Sequence, residues 1–245
     1  APAGMAGMQA LKALGVRLVE DDLGAGYSTL IRLRQWPFDR VKIDQAIVRQ
    51  IGDDPLPTLR FIRQLIRLGH DLGLEVVVEG LETPGSVEAA LILGADLGQG
   101  YVLARPMPGD ALAGWLAGFE AAWDATRPVT AVGVLAGVLL WEEQFLALPS
   151  GPSAWAAHAA LSCAADGYLH LDGQTPTALH SSHVEMHAAA IGGPRDPAYR
   201  QARETFLAPL IERVRVEERR LETGMVDTGA GNNEGPGVAE PFVVD

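Results

Sequence analysis

Covalent cross-linking has little to offer this chain: of its 245 residues only Cys163 is a cysteine. One thiol excludes an internal disulfide framework and is the usage expected of a reducing cytoplasm, where the chain is expected to reside. Long apolar runs are also missing. The longest, residues 131–141, contains two glycines, has no flanking basic cluster and falls short of the ~18 residues that span a bilayer. A buried helix fits it, and no membrane segment or signal peptide is expected. Basic residues are few, 19 against 31 acidic ones, for a net charge of −12. That balance disfavours nonspecific binding to nucleic-acid polymer or anionic lipid. A phosphodiester ligand would need metal ions or local lysines. Hydrophobic residues at 48% and charged residues at 20% exclude a wholly disordered chain.

The length suits one complete (β/α)8 barrel or two ordinary domains. Patterning decides for two. Residues 1–127 alternate helical and extended segments and carry 12 basic and 16 acidic groups, a net of −4; the remainder carries 7 and 15, a net of −8. Five of the six histidines (His158, His170, His180, His183, His187) fall in the second half, within one 30-residue window.

In the first half a helix around residues 5–14 closes at Gly15 and precedes a strand at 16–19, which breaks at Asp21-Asp22. The same order recurs three times. A helix from about Ser28 to Gln35 leads to a strand at 40–44; the amphipathic helix of Leu59, Ile62, Leu65, Ile66 and Leu72, closed by Gly73, leads to a strand at 75–79; a helix at 87–93, closed by Gly94, leads to a strand at 98–103. Repeated helix-then-strand units with short links imply parallel strands, as in a doubly wound sheet or an α/β barrel. The second half reads as a helical bundle over about 131–147, 152–165, 176–191 and 196–222. Tyr199, Ala202, Phe206, Leu210 and Val214 line one face of its last helix.

Parallel α/β folds place their chemistry at the carboxyl ends of strands. The polar residues there are Asp21 and Asp22, Lys42 and Asp44, Glu79 and Glu82, and Gln99. Adjacent carboxylates, joined by a third from another strand, can bind two hard cations, and a nearby lysine can neutralise a phosphate oxygen or assist an attacking water. The same residues also fit solvated loop ends and a helix cap. Gly24 and Gly26 need mean no more than a tight turn.

The strings Asp21-Asp22-Leu23-Gly24-Ala25-Gly26-Tyr27-Ser28, Val41-Lys42-Ile43-Asp44, Glu79-Gly80-Leu81-Glu82-Thr83 and Gly98-Gln99-Gly100-Tyr101, followed by Arg105-Pro106-Met107-Pro108, resemble in order and spacing the second half of an EAL domain. Members of that family hydrolyse the bacterial messenger cyclic di-GMP, and the resemblance covers about residues 1–118. It implies Asp21 and Asp22 as ligands of a two-metal Mg2+ or Mn2+ site, and Lys42 as holder of the nucleophilic water. It further implies Glu79 as metal ligand and general base, and Gln99 as a substrate contact. Glu82 is expected to pair locally. The family's opening Glu-Ala-Leu segment, its metal-binding asparagine and a further glutamate have no counterpart from Ala1 onward. The 245-residue chain is therefore expected to be a fragment, inactive alone.

His183 and His187, four residues apart, share one face of a helix and can grip one metal; Cys163 can add a thiolate. Two solvated histidines and a small buried residue would fit as well. Cys163-Ala164-Ala165-Asp166-Gly167-Tyr168, His183-Val184-Glu185-Met186-His187 and Trp141 resemble a degraded chemoreceptor zinc-binding domain, a four-helix module that uses three histidines and a cysteine. Val138 stands where that family has its fourth ligand, and Tyr168 or a neighbour replaces a tryptophan. The resemblance implies Zn2+, with His158, Glu142 or water completing the shell. Dimerisation with incidental histidines is the competing reading.

The expectation is a partial (β/α)8 barrel of about four strands over 1–127, an all-α helical bundle over 128–222 with a zinc-binding regulatory role, and a disordered tail over 223–245. The parent protein is expected to be a cyclic di-GMP phosphodiesterase and a homodimer. A non-catalytic cyclic di-GMP receptor is the alternative.

Overall fold

The computed structural model describes residues 3–24, 29–119, 123–149, 151–161, 163, 165, 168–169 and 177–227. They divide into two compact units, one ahead of Trp123 and one from Trp123 onward.

The first unit is a parallel sheet in the order β1-β2-β3-β4, with β1 at Val19–Leu23, β2 at Arg40–Ile43, β3 at Glu75–Val78 and β4 at Leu97–Gly98. Strands that are all parallel and follow chain order, with helices between them, wind in one direction as a barrel does. A doubly wound sheet would reverse its order part-way. Helices α1 (Ala3–Ala13), α2 (Thr29–Gln35), α3 (Gln45–Val48), α4 (Pro55–Asp71) and α5 (Pro84–Ile92) precede or join these strands, and α6 (Gly109–Gly118) follows.

One local device closes three of the helices. After α4, Gly73 at φ 74° donates its N–H to His70 O, while Leu74 N–H reaches back to Gly69 O. Gly94 and Ala95 repeat the pattern after α5, and Gly15 and Val16 after α1. Each is a Schellman motif, in which a glycine takes the left-handed conformation that other residues enter at a cost. The next strand therefore starts at a set angle. Helix α5 begins with a reciprocal capping box: Thr83 Oγ1 accepts from Ser86 N–H and Ser86 Oγ accepts from Thr83 N–H. Leu59, Ile62 and Ile66 of α4 are buried together with Val41 and Ile43 of β2 and Val76 and Val78 of β3.

The strands sit differently from their expected spans. Strand β1 starts at Val19 and includes Asp21 and Asp22, because Glu20 and Leu23 pair with Val41 and Ile43 of β2 across a bulge. Strand β4 ends at Gly98; Leu103 and Ala104 N–H groups both turn back to Gly100 O. Gly26 and Ser28 lie outside the described residues.

The second unit contains α7 (Ala131–Ala147), α8 (Pro152–Ala159), α9 (Thr177–Ala190) and α10 (Pro197–Asp227). The apolar run at 131–141 lies in α7, almost wholly buried, and Tyr199, Phe206, Leu210 and Val214 are the buried face of α10. Helix α8 stops at Ala159, short of the expected 165, and α10 runs through Thr223 to Asp227. Residues 228–245 lie outside the described residues. Among the described residues no helix is long and apolar enough to cross a membrane.

Candidate functional site

The bulge in β1 sets the geometry of the first site. Two residues, Asp21 and Asp22, stand opposite the single Lys42 where a regular strand would have one, and Asp22 adopts φ 60°, the sole non-glycine described residue with positive φ. Asp21 Oδ1 accepts from Asp22 N–H at 3.2 Å. Lys42, next to the end of β2, places Nζ 3.5 Å from Asp21 Oδ1 and in direct ion-pair contact with Glu79 Oε1. Glu79 follows β3 and is held there by its N–H donating to Ile43 O at 3.1 Å.

The three charges differ in exposure: 22% for the Lys42 side chain, 16% for Glu79 and 63% for Asp21. Burial works against the Lys42 charge, but the Glu79 and Asp21 carboxylates outweigh it and hold the ammonium above the usual lysine range. Lys42 is therefore a permanent cation at neutral pH and cannot act as a base. Asp21, Asp22 and Glu79 together leave the group at net −2, and their oxygens are the hard donors that suit Mg2+ or Mn2+. They fit such ions as part of a ligand set. The three carboxylates do not converge into a compact trio, since Lys42 bridges two of them.

Glu79 also lines a polar cavity of about 440 Å³, which Gln99, Arg49, Glu82, Tyr101 and Arg105 share. Gln99 is brought to this cavity beside Glu79. Its carbonyl accepts from Leu81 N–H at 3.1 Å and its own N–H donates to Val78 O at 2.9 Å. Glu82 pairs with Arg49 at 2.9 Å, and Asp44 caps α3 by accepting from Ala46 N–H. The sequence reading assigned nothing to Tyr101 and Arg105, whose guanidinium lies 5.1 Å from the ring centroid. Their four-residue separation beside Gln99 was the available signal.

In the second unit, Cys163, His183 and His187 place one ligand atom each within 4.8 Å of the others. Cys163 Sγ lies 2.9 Å from His183 Nε2. His187 Nδ1 faces Ala159 O at 2.9 Å, and its Nε2 is buried without a partner. Because a carbonyl only accepts, Nδ1 carries the proton and Nε2 keeps its lone pair. The suggested fourth ligands lie outside this cluster. His158 Nε2 bonds Trp141 O at 3.0 Å, and Glu142 receives Arg203 Nη2 at 2.8 Å and Tyr199 Oη at 3.0 Å.

A segment of parallel α/β barrel with carboxylates and a lysine at the strand ends describes the first unit as a class. The family model of the EAL domain matches residues 3–106. The chain is 39% identical over 98 residues to the cyclic di-GMP phosphodiesterase RocR of Pseudomonas aeruginosa, covering 40% of this chain and 25% of that protein. It is 35% identical over 105 residues to the bifunctional diguanylate cyclase/cyclic di-GMP phosphodiesterase MucR of the same organism, covering 43% and 15%. An uncharacterized protein of Azorhizobium caulinodans is 40% identical over 100 residues, covering 41% and 14%. Among solved structures, the PaMucR phosphodiesterase in complex with c-di-GMP aligns over 45% of this chain and 44% of that one, with 34% identity and a TM-score of 0.42. The chain thus spans at most a quarter of the length of these curated relatives.

Proposed function

We propose that residues 1–127 supply the C-terminal half of a cyclic di-GMP phosphodiesterase site. The observation that carries this reading is Lys42 bridging Asp21 and Glu79 at three strand ends inside the span that the EAL-domain model matches. Mg2+ or Mn2+ held by Asp21, Asp22 and Glu79 would supply water activation and charge neutralisation at the scissile phosphodiester. Lys42, always charged, orients the nucleophilic water or a phosphate oxygen. Glu79, buried on one side by its contact with Lys42, is placed to take the proton. Gln99 positions substrate in the cavity, Tyr101 offers a face for a guanine and Arg105 a guanidinium for the non-scissile phosphate. One phosphodiester bond opens and the linear dinucleotide results.

A second reading, a non-catalytic cyclic di-GMP receptor, is favoured by the way Lys42 stands between carboxylates that would have to converge on metal. For residues 128–222 we propose a regulatory bundle whose Cys163, His183 and His187 bind a transition metal. Zinc is the metal the sequence resemblance implies, and a homodimer is the proposed state of the parent.

The experiment measures hydrolysis with Mg2+ or Mn2+ by a polypeptide in which the remainder of an EAL barrel precedes residue 1, beside the 245-residue chain itself. Turnover abolished by Asp21→Asn and by Glu79→Gln, and absent from the 245-residue chain, is expected. Binding of cyclic di-GMP without turnover in the completed barrel selects the receptor. Turnover that survives both substitutions rejects the assignment.

A further inference from the structure

Resting on the phosphodiesterase reading of the first unit, we infer that Glu82 and Arg49 together read the base of the bound dinucleotide: the pair takes the hydrogen-bonding edge of a guanine that stacks on Tyr101, and so selects guanine over adenine.

The backbone sets this pair in place. Arg49 directly follows α3 and donates from Nη2 to Glu82 Oε1 at 2.9 Å. Glu82 is fixed from both sides: Leu81 N–H donates to Gln99 O, Leu81 O accepts from Val102 N–H, and Thr83 is the N-cap of α5. The same Leu81 backbone fills the place of a Cβ at Gly100, which brings the Tyr101 segment against the Glu82 loop. Tyr101, Glu82 and Arg49 accordingly line one cavity of about 440 Å³, a volume in the range of small-ligand sites. Arg105 lies over the Tyr101 ring and steadies it, and Tyr101 is half-exposed. With side chains 58% and 32% exposed, the Arg49–Glu82 pair adds little to stability and stands open to a ligand.

Stacking on an aromatic ring tolerates any base, so discrimination has to come from the edge. Guanine presents one acceptor, O6, beside two donors, N1–H and N2–H2. Arg49 supplies a donor to the first and Glu82 a carboxylate to the other two. A carboxylate has about four lone-pair sites, so Glu82 accepts both donors while it keeps Arg49. Adenine presents one donor, N6–H2, beside one acceptor, N1, and fills one carboxylate oxygen instead of two. A site built to receive a substrate N–H rejects the analogue that lacks it, because its own polar group is left unpaired. Phosphate fits the pair poorly: it presents acceptors only, and the Glu82 and Glu79 carboxylates repel it. The zero net charge of the pair suits a neutral heterocycle.

The test is saturation-transfer NMR on the whole 245-residue chain, with cyclic di-GMP and cyclic di-AMP titrated separately and then in competition, which gives the ratio of their dissociation constants. Cyclic di-GMP is expected to bind at least about tenfold more tightly. Glu82→Gln exchanges a double acceptor for one acceptor and one donor, the pattern that suits adenine, and should cut the ratio by at least about fivefold. Arg49→Met takes the donor away from O6 and should also cut it. A purely structural role for the pair would weaken both dinucleotides alike and leave the ratio unchanged. Equal binding of the two by the wild type, or a ratio that survives either substitution, overturns the base reading while the dinucleotide reading stands. Binding of neither by the wild type overturns both. The wild-type ratio decides even where a variant fails to fold.

Discussion

The carboxylate of Glu142 is a buried charge in the helical unit, and replacing Arg203 by methionine isolates what its pairing is worth. Glu142 lies on α7 with its side chain 4% exposed; Arg203, 61 residues away on α10, donates to both of its oxygens, and Tyr199 adds a third bond. Arg203→Met keeps most of the apolar stem and removes the guanidinium. Breaking a buried pair by deleting one partner costs about 3–5 kcal/mol, because the remaining charge stays desolvated. Arg203 retains 23% exposure, which admits some water and places the expected loss near about 3 kcal/mol. Amide hydrogen exchange read by mass spectrometry reports this locally, and 3 kcal/mol corresponds to roughly 10²-fold faster exchange across α7 and α10. The double replacement Glu142→Met with Arg203→Met leaves no charge behind and should recover at least about half of that loss. A double variant as unstable as Arg203→Met, or a single variant whose exchange rises less than about fivefold, would refute the desolvation argument.

Three further outcomes follow from the same contacts. Lys42→Met removes the one cation between Asp21 and Glu79, so Mn2+ titrated into the chain should bind about tenfold more tightly, while a completed barrel should lose turnover; calorimetry showing weaker Mn2+ binding contradicts this. Burial and the neighbouring Glu142 push the Tyr199 phenol up, so the neutral form is favoured in the fold: its contribution is complete below pH ~10 and is lost as pH rises beyond the ordinary tyrosine range. Tyr199→Phe should flatten that alkaline loss in urea melts, and an unchanged slope counts against it. Gly80 has φ 69° and an added Cβ would stand 2.5 Å from Gln45 Cβ, so Gly80→Ala should destabilise the first unit by about 2–4 kcal/mol, read as a lower denaturation midpoint.

Much of the first unit was legible because its punctuation is local. Gly73 and Gly94 close helices by a two-bond motif that involves six neighbouring residues, and the period-3.6 stripe of Leu59, Ile62 and Ile66 needs no knowledge of the partner. The extent of β1 was not legible. It depends on Glu20 and Leu23 pairing with Val41 and Ile43, 21 and 20 positions further on, and a bulge between them carries Asp21 and Asp22 inside the strand. Strand β4 was overestimated for a related reason. The Leu81 backbone fills the place a Cβ would take at Gly100, so glycine is needed there, and Leu103 and Ala104 N–H groups turn back to Gly100 O and end the extended run despite the strand propensity of Tyr101 and Val102.

The same division between local and distant determinants runs through both candidate sites. Spacing alone places His183 and His187 on one helical face, and the fold adds Cys163 from 20 residues upstream. Whether Glu142 could join them is decided 61 residues away, by an arginine that takes both of its oxygens. A carboxylate with two strong partners is a poor recruit for a metal, because coordination would strand the guanidinium. At the strand ends the logic is inverted: Lys42 holds Asp21 and Glu79 together, and their mutual repulsion would otherwise spread them. A cation arriving there meets carboxylates already gathered and already neutralised in part. Lys42 therefore weakens metal affinity while it preserves the geometry, and affinity and turnover are expected to change in opposite directions when it is removed.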